Sequence, residues 1–423
     1  MTRAATPKLG AYAGLAGVGL LAALVLGRAE LAVLAAPFAL VLFFGLALAQ
    51  APDVRVALEV DRERQVEGEE VNASLEVRTH LPVPRLELLL SLPDGLESEA
   101  PNPVLVALDL DERRELEVPL RCAHWGAYLV GRVQARVPDR FGLLAYERAY
   151  DLRRPLKVYP RGEALEKLLR PLQTLSFAGS QTTGTRGEGI EFADLRPFAP
   201  GDRIRRVNWR ATARRGEPWV NETHPERNTD VVIFLDTFAE ARSGSGSTLD
   251  LAVEAAGALA AHYIRAKDRV GLVGFGGVLN WLTVSGGVTQ LYRVLDSLLD
   301  AEIFLSYAWK EIEILPRRTL PPHALVVALT PLLDERSVRA LLDLRARGFD
   351  LAVVEISPVP FVEPGKDELD RLAYRLWLMR RDALRASYLR FGVPVVEWRQ
   401  GDPLQAALEE VRTFRRHARV TRA

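Results

Sequence analysis

The hydrophobic and polar positions divide the chain into segments with different patterns. Two uncharged apolar runs come first, over residues 9–27 and 31–51, and only Arg28-Ala29-Glu30 separates them. Each run approaches the roughly 20 residues that a helix needs to cross a bilayer. A signal peptide has one shorter apolar core and a cleavage site, so two consecutive runs do not fit that pattern. The pattern predicts a hairpin of two transmembrane helices within residues 1–52.

Alternating apolar and polar residues follow from Asp53 to Pro160. This alternation is typical of half-buried strands, and turn signals such as Pro93-Asp94-Gly95 and Pro138-Asp139 separate the runs. The predicted strands are Val54–Val60, Val71–Val77, Leu86–Leu90, Glu115–Val118 and Tyr128–Val137. Short strands without long helices between them predict an antiparallel β-sandwich over residues 53–160.

Continuous apolar runs alternate with helical patterns from residue 230 to residue 423. Examples are Asp230–Asp236, Ala324–Thr330 and Leu351–Ile356, which are apolar almost throughout. Strands of this kind are buried on both faces of a mostly parallel sheet, so we predict a doubly wound α/β domain. The antiparallel edge hairpin of its sheet is expected at residues 269–284. A ligand site in such a sheet lies at the carboxyl ends of the strands.

Residues 161–229 join the two predicted domains, and residues 187–221 within them are called the signature arm here. Arginines and carboxylates alternate in it with bulky apolar residues, which fits neither helix nor strand periodicity throughout. Pro197, Pro200 and Gly201 break it in the middle. We therefore expect an extended segment, a Pro-Gly-Asp turn and a short helical piece near residues 206–214. The linker before it is expected to contain a helical stretch over residues 163–172 and a polar connecting loop over residues 179–185.

The polar side chains of the signature arm allow two interpretations. Its guanidinium groups can hold the arm onto carboxylates and carbonyls of the next domain, or the arm can form a surface for a partner or ligand. The candidate residues are Glu191, Asp194, Arg196, Asp202, Arg206, Asn208, Trp209, Arg210 and Arg214.

The signature arm resembles a known family. The run from Gly187 to Asp202, with Glu191-Phe192, Asp194-Leu195-Arg196 and Pro200-Gly201-Asp202, is similar to the signature of the bacterial family "domain of unknown function 58". Val207-Asn208-Trp209-Arg210-Ala211-Thr212-Ala213-Arg214 continues the resemblance. It implies two N-terminal membrane helices, a β domain and a von Willebrand factor A-like domain. Members of that family are often encoded near MoxR-type AAA+ ATPases and transglutaminase-like membrane proteins, so the resemblance implies these as partners. No activity is assigned to the family.

Composition and charge narrow the classes of function. Lys and Arg together number 55, as do Asp and Glu, and this balance argues against a general nucleic-acid binder. A single cysteine, Cys122, excludes an internal disulfide and a multi-cysteine metal site. Arg3 and Lys8 precede the first apolar run and Arg55 follows the second. The positive-inside rule therefore predicts that both ends of the hairpin and the soluble domains lie in the cytoplasm. The resemblance to a bacterial family implies that the membrane is the bacterial inner membrane.

Asp236 lies at the carboxyl end of the first α/β strand, where the von Willebrand factor A resemblance implies a metal site. The intact pattern is Asp-x-Ser-x-Ser, whereas this chain has Asp236-Thr237-Phe238-Ala239-Glu240, and Phe238 cannot bind a metal. The Asp expected after a later strand is also absent, because Thr330 is followed by Pro331. Asp236, Glu240 and Thr330 would form at most a degenerate Mg²⁺ site, since Mg²⁺ requires several aligned oxygens.

Two functions are consistent with these features. The first is a membrane-tethered interaction or scaffold protein, whose A-like domain and signature arm dock partner proteins in envelope-related assembly. The resemblance adds a MoxR-type ATPase as a partner. The second is a metal-dependent or hydrolytic enzyme that uses the acidic and Arg residues of the signature arm. No zinc-helix His pair, nucleophile elbow or dinucleotide fingerprint supports the second in the sequence. We favour the first, because the degraded metal pattern lacks the oxygens that the second would use.

Overall fold

A computed structural model describes residues 1–166, 169, 191–200, 202, 204, 207–224, 229–244, 246–303, 320–322 and 324–420. The chain forms two compact units, Met1–Arg161 and Gly162–Ala423. Five of the ten residues of the linker helix expected over residues 163–172 are described, and the loop expected over residues 179–185 lies outside the described residues. Those five, Glu163–Glu166 and Leu169, have no regular structure, so the expected helix does not begin at Glu163.

The first unit begins with two apolar helices. Helix α1 spans Pro7–Leu26 and helix α2 spans Ala29–Ala47, with mean hydropathies of 2.1 and 2.2. Both are long and apolar enough to cross a membrane, and they start and end within a few residues of the predicted spans. Pro7 suits the first turn of α1, and Gly27 ends that helix in the left-handed conformation with φ of 66°. Their side chains are mostly exposed, with only Ala16, Ala35 and Gly45 buried.

The rest of the first unit is a β-sandwich of two sheets. The order of the first sheet is β1-β10-β9-β5-β7, with β3 also pairing with β10, and the order of the second is β2-β4-β8-β6. Buried residues of both sheets, such as Leu58, Leu75, Leu88 and Val133, meet in one core. The strands are β1 (Thr2–Ala5), β2 (Val54–Val60), β3 (Arg64–Val66), β4 (Glu70–Thr79), β5 (Val83–Ser91), β6 (Leu96–Ser98), β7 (Val104–Leu108), β8 (Arg113–Cys122), β9 (Gly126–Pro138) and β10 (Leu144–Tyr159).

Five strands of the sandwich, namely β1, β3, β6, β7 and β10, are absent from the sequence prediction. Strand β1 precedes the first apolar helix and pairs antiparallel with β10, with Thr2 opposite Glu147 and Ala5 opposite Leu144. Strand β10 is 16 residues long, but its alternation is interrupted where the register shifts between Asp151 and Arg154. A bulge of this kind hides the period of two from the sequence.

The second unit contains a six-stranded sheet in the order β17-β16-β13-β18-β19-β20. All neighbouring pairs are parallel except β16 with β17, which is the expected edge hairpin. Its strands are β13 (Asp230–Thr237), β16 (Arg269–Gly276), β17 (Leu279–Ser285), β18 (Leu325–Thr330), β19 (Asp350–Ile356) and β20 (Val395–Trp398). Two short strands that follow β13 in the sequence, β14 (Arg242–Ser243) and β15 (Gly246–Ser247), pair with each other.

Helices accompany this sheet, and the signature arm adds one short helix before it. In chain order they are α3 (Trp209–Arg215), α4 (Thr248–Arg265), α5 (Val288–Leu299), α6 (Glu335–Ala346), α7 (Glu368–Arg390) and α8 (Leu404–Val420). Helix α4 is buried along most of its length, because its alanine and leucine side chains pack closely in the core of the unit.

Candidate functional site

The signature arm is a β-hairpin with a helix inserted between its strands. Strand β11 (Glu191–Pro197) pairs antiparallel with β12 (Trp219–His224), with Leu195 opposite Asn221 and Arg196 opposite Val220. Helix α3 lies between the two strands in the sequence, somewhat later than the helical piece expected at residues 206–214. The sequence predicted an extended segment held in place by its side chains. In the structure, backbone pairing between β11 and β12 holds this segment.

An ion pair closes the loop that follows β11. The Arg196 guanidinium donates two hydrogen bonds of 2.7 Å to the Asp202 carboxylate, one to each oxygen. The same carboxylate accepts a hydrogen bond of 2.8 Å from the backbone N–H of Ala199. A bidentate fork of this kind fixes geometry as well as charge, so it holds Asp202 close to the end of β11.

Asn208 joins the helix to the hairpin. Its side-chain oxygen accepts a hydrogen bond of 3.0 Å from the Ala211 N–H, which caps α3, and its amide nitrogen donates to the Asn221 side chain at 2.8 Å. The Asn208 N–H donates to the Trp219 carbonyl at 2.7 Å. The Trp219 N–H in turn donates to the Thr212 hydroxyl at 3.0 Å. These contacts hold α3 against the start of β12.

The outer side of the signature arm is exposed. The Trp209 side chain is 68% exposed, and Ile204 in the preceding turn is 71% exposed. Arg210 and Arg214 follow on α3 and are also exposed. Because the bracing contacts come from other residues, this aromatic and cationic surface is available for contact with another molecule.

The structure thus separates the predicted residues of the signature arm into groups. Arg196, Asp202 and Asn208 make contacts within the arm, whereas Trp209, Arg210 and Arg214 face solvent. The expectation that the arginines pin the arm to the next domain does not describe Arg196, whose carboxylate partner lies six residues away in the arm itself. Arg206 and the side chains of Glu191 and Asp194 lie outside the described part of the chain.

The second predicted site lies at the carboxyl ends of the strands in the α/β sheet. Asp236 is the penultimate residue of β13 and Thr330 ends the neighbouring strand β18, so both come to the same edge. The Thr330 hydroxyl donates to one Asp236 oxygen at 2.6 Å, and the Phe238 N–H donates to the other at 3.1 Å. Asp236 is only 2% exposed, and burial raises the pKa of its carboxyl to about 6, although the hydrogen bonds act in the opposite direction.

Glu240 and Phe238 do not extend this pair into a set of metal ligands. The Glu240 carboxylate accepts hydrogen bonds from Arg242 at 3.1 and 3.2 Å. The Phe238 ring packs edge-on against Phe275 at 5.0 Å, and the Arg336 guanidinium lies 4.0 Å from its centre. Among the residues that the structure describes, no three His, Cys, Asp or Glu side chains are grouped as metal ligands. The Asp236 and Thr330 oxygens alone fall short of the set that Mg²⁺ requires.

A buried ionic cluster at the same edge of the α/β sheet was not predicted from the sequence. Glu355 near the end of β19 is 1% exposed and accepts hydrogen bonds from both Arg381 and Arg385 of α7. Burial lowers the pKa of Arg381, whereas the Glu355 hydrogen bond raises the pKa of Arg385. The sequence contains one indication of this cluster, which is the charged residue Glu355 in an apolar strand. A carboxylate buried in such a strand requires a cationic partner.

With this geometry described, the chain can be compared with known proteins. Residues 194–358 match the family model described as protein of unknown function DUF58. The matched residues begin in β11 and run through the strand-edge residues to the end of β19. The uncharacterized protein YeaD of Bacillus subtilis (strain 168) is 24% identical over 207 residues, which are 47% of this chain. The chain spans about half of that relative's length, at 52%.

Similarity to solved structures is low throughout. A CARDB domain from Pyrococcus furiosus has 15% identity and a TM-score of 0.18, covering 26% of this chain and 96% of that domain. Native alpha-2-macroglobulin from Escherichia coli, from domain MG7 to the C-terminus, has 20% identity and a TM-score of 0.21. That match covers 28% of this chain and 20% of the other. The description of the fold above therefore rests on the strand order of this chain alone.

Proposed function

We propose that this protein is a membrane-tethered interaction protein whose signature arm docks a partner protein. The observation that carries the proposal is the exposed surface of Trp209, Arg210 and Arg214 on a hairpin that is braced by its own hydrogen bonds. Trp and Arg are the residues most enriched at the energetic centres of protein interfaces. A braced surface also loses less conformational freedom when a partner binds.

The proposed site of action is the cytoplasmic face of the bacterial inner membrane. Helices α1 and α2 are the proposed anchors, and the turn at Arg28 would face away from the cytoplasm. The cationic residues Arg3, Lys8 and Arg55 lie at the other ends of the two apolar runs, as the positive-inside rule requires. The bilayer is thus one partner, and no excess of basic residues favours nucleic acid.

The family resemblance supplies the first protein partner to test, a MoxR-type AAA+ ATPase, followed by a transglutaminase-like membrane protein. The α/β unit, interpreted as von Willebrand factor A-like, would support the arm and extend the docking surface. This assignment makes no use of metal at Asp236, whose two carboxylate oxygens already accept hydrogen bonds from Thr330 and Phe238.

Co-purification of the ATPase with the full-length protein from membranes tests this function. Replacing Trp209 with Ala should reduce the ATPase that is recovered by about ten-fold or more, since an interface tryptophan typically contributes over 2 kcal/mol. Leu105→Ala is the control, because Leu105 is 60% exposed on β7 of the sandwich, outside both the signature arm and the α/β unit. Equal recovery with both variants, or no recovery with the wild-type protein, would refute the proposal.

A further inference from the structure

Helix α7 (Glu368–Arg390) is attached to the α/β unit along one side only. Arg381 is 5% exposed and Tyr388 is fully buried, and these residues lie two turns apart on the same side of the helix. Arg381 also donates to the Pro331 carbonyl at 3.0 Å. The inward side of α7 is therefore fixed, and the side facing away from these contacts lies in solvent.

The solvent side of α7 carries a continuous apolar stripe. Its members recur at spacings of three and four residues, which is the heptad pattern of a coiled-coil seam. They are Leu369, Leu372, Leu376, Met379, Ala383 and Ala386. The first four are 79%, 52%, 57% and 67% exposed, and both alanines are exposed. A row of exposed Leu and Met side chains is typical of a surface that is covered in the functional assembly.

We propose that this stripe joins two copies of the chain through antiparallel pairing of α7 with α7 of the second copy. The order of side-chain sizes along the stripe favours this arrangement. When Leu376 is set opposite the partner's Met379, Leu372 meets the partner's Ala383 and Leu369 meets the partner's Ala386. Large side chains then face small ones at both ends of the seam, as close packing of a helix pair requires.

Charge complementarity selects the same register. Arg375 and Asp382 flank the stripe, and the Asp382 side chain is 75% exposed. In the antiparallel register, Arg375 of each copy lies beside the partner's Asp382, which places opposite charges together twice. A parallel pair would set alanine opposite alanine and Arg375 beside the partner's Arg380, which already donates to Glu335 of its own copy at 2.6 Å. The gap in the seam disfavours the parallel arrangement, and Arg375 gains no opposite charge there.

The proposed contact is isologous, because each copy uses the same surface and the pair closes on itself as a dimer. Two helix seams of this length bury on the order of 1,000 Å², which is at the weak end of specific interfaces. Anchoring of both copies in one bilayer would raise their effective concentration and favour the pair. The contact is separate from the signature arm and does not depend on the function proposed for it.

Cysteine cross-linking of the full-length protein tests the register. Leu372→Cys in one copy and Ala383→Cys in another should be joined by a short bismaleimide when the two variants are expressed together. Neither variant should cross-link with itself, because its two cysteines would lie about 16 Å apart along the seam. The native Cys122 adds no background, since it is buried and its pKa is raised to about 11, chiefly by burial. Self-linking of Leu372→Cys without the mixed product would overturn the antiparallel pair.

Sedimentation of the full-length protein in detergent measures the strength of the pair. Leu376→Glu should weaken dimerisation about ten-fold or more, because it places two charges in the seam. The matched control is Val288→Glu at the start of α5, since Val288 is 66% exposed and lies outside α7. Trp209→Ala should leave the dimer unchanged, which separates this proposal from the function of the arm. A monomeric wild-type protein, or loss of liposome binding rather than of dimer in Leu376→Glu, would refute the proposal.

Discussion

The buried carboxyl group of Asp236 makes the stability of the folded protein depend on pH. Its carboxylate has hydrogen-bond donors from Thr330 and Phe238, yet burial dominates and raises the pKa from 3.8 to about 6. The folded state therefore binds a proton more tightly than the unfolded state. The resulting stabilisation is complete below the unfolded pKa of about 4, and it is lost as pH rises through about 6.

Replacing Asp236 with Asn should remove this pH dependence. Between pH 4 and pH 6 the free energy of unfolding of the wild-type protein should fall relative to that of Asp236→Asn. The total difference should be about 2 to 3 kcal/mol, which corresponds to the shift in pKa. Chemical denaturation at several pH values measures it. Parallel stability curves for the two proteins across this window would contradict the raised pKa.

At the scale of elements, the signature arm depends on Asn208 for the position of α3. Asn208→Ala removes the hydrogen bond to the Ala211 N–H and the contact with Asn221. Loss of a cap costs about 1 kcal/mol, so local opening of α3 should become roughly five-fold more frequent. Trypsin cleavage after Arg210, Arg214 and Arg215 reports this opening. Trp209→Ala should cleave at the wild-type rate, and an unchanged rate in Asn208→Ala would show that the cap is dispensable.

Elements with a regular pattern were predictable from the sequence, and those shaped by long-range contacts were not. Strand β2 was predicted with its observed ends, because Val54–Val60 alternates without interruption. Strand β1 was missed because its partner lies about 140 residues away, and nothing in Thr2–Ala5 signals that pairing. In the signature arm the turn and a short helix were expected, whereas the pairing of β11 with β12 was not. Its register also shifts between Phe192 and Asp194, which hides the alternation.

The candidate residues divide in the same way. A ligand site was expected at the carboxyl ends of the strands, and the von Willebrand factor A resemblance singled out Asp236, Glu240 and Thr330 there. In the structure Asp236 and Thr330 are in contact at 2.6 Å, whereas Glu240 pairs with Arg242. Which members of the signature arm brace it and which are exposed depends on the partners of each side chain, as with Arg196 and Asp202. The order of residues in the sequence does not specify these side-chain partners.

At the scale of the whole molecule, β1 ties the apolar helices to the sandwich. The Thr6 hydroxyl donates to the Gly142 carbonyl at 2.7 Å, and the Lys8 ammonium donates to the Phe141 carbonyl at 2.7 Å. The Arg3 guanidinium donates to the Ala49 carbonyl at 3.3 Å. The start of α1 and the residues just after α2 therefore both lie near the sandwich. Removing residues 1–52 to obtain a soluble protein would therefore also remove an edge strand.

A soluble variant that lacks residues 1–52 should be less stable than one in which Met1–Ala5 is joined to Asp53 by a short flexible linker. The first variant leaves the β10 edge at Leu144–Glu147 without its partner strand, and an open edge promotes association between chains. Thermal unfolding should differ by about 2 to 4 °C for each kcal/mol that β1 contributes. Identical melting temperatures and equal solubility would show that β1 contributes nothing to the sandwich.

The central claim is that the partner contacts the outer side of the signature arm. Hydrogen–deuterium exchange of the full-length protein, with and without the purified MoxR-type ATPase, locates that contact most directly. We expect slower exchange in the peptides that cover Trp209–Arg215 when the ATPase is present, and no such change in Trp209→Ala. Protection confined to other parts of the chain, or persistent protection of Trp209–Arg215 in that variant, would contradict it.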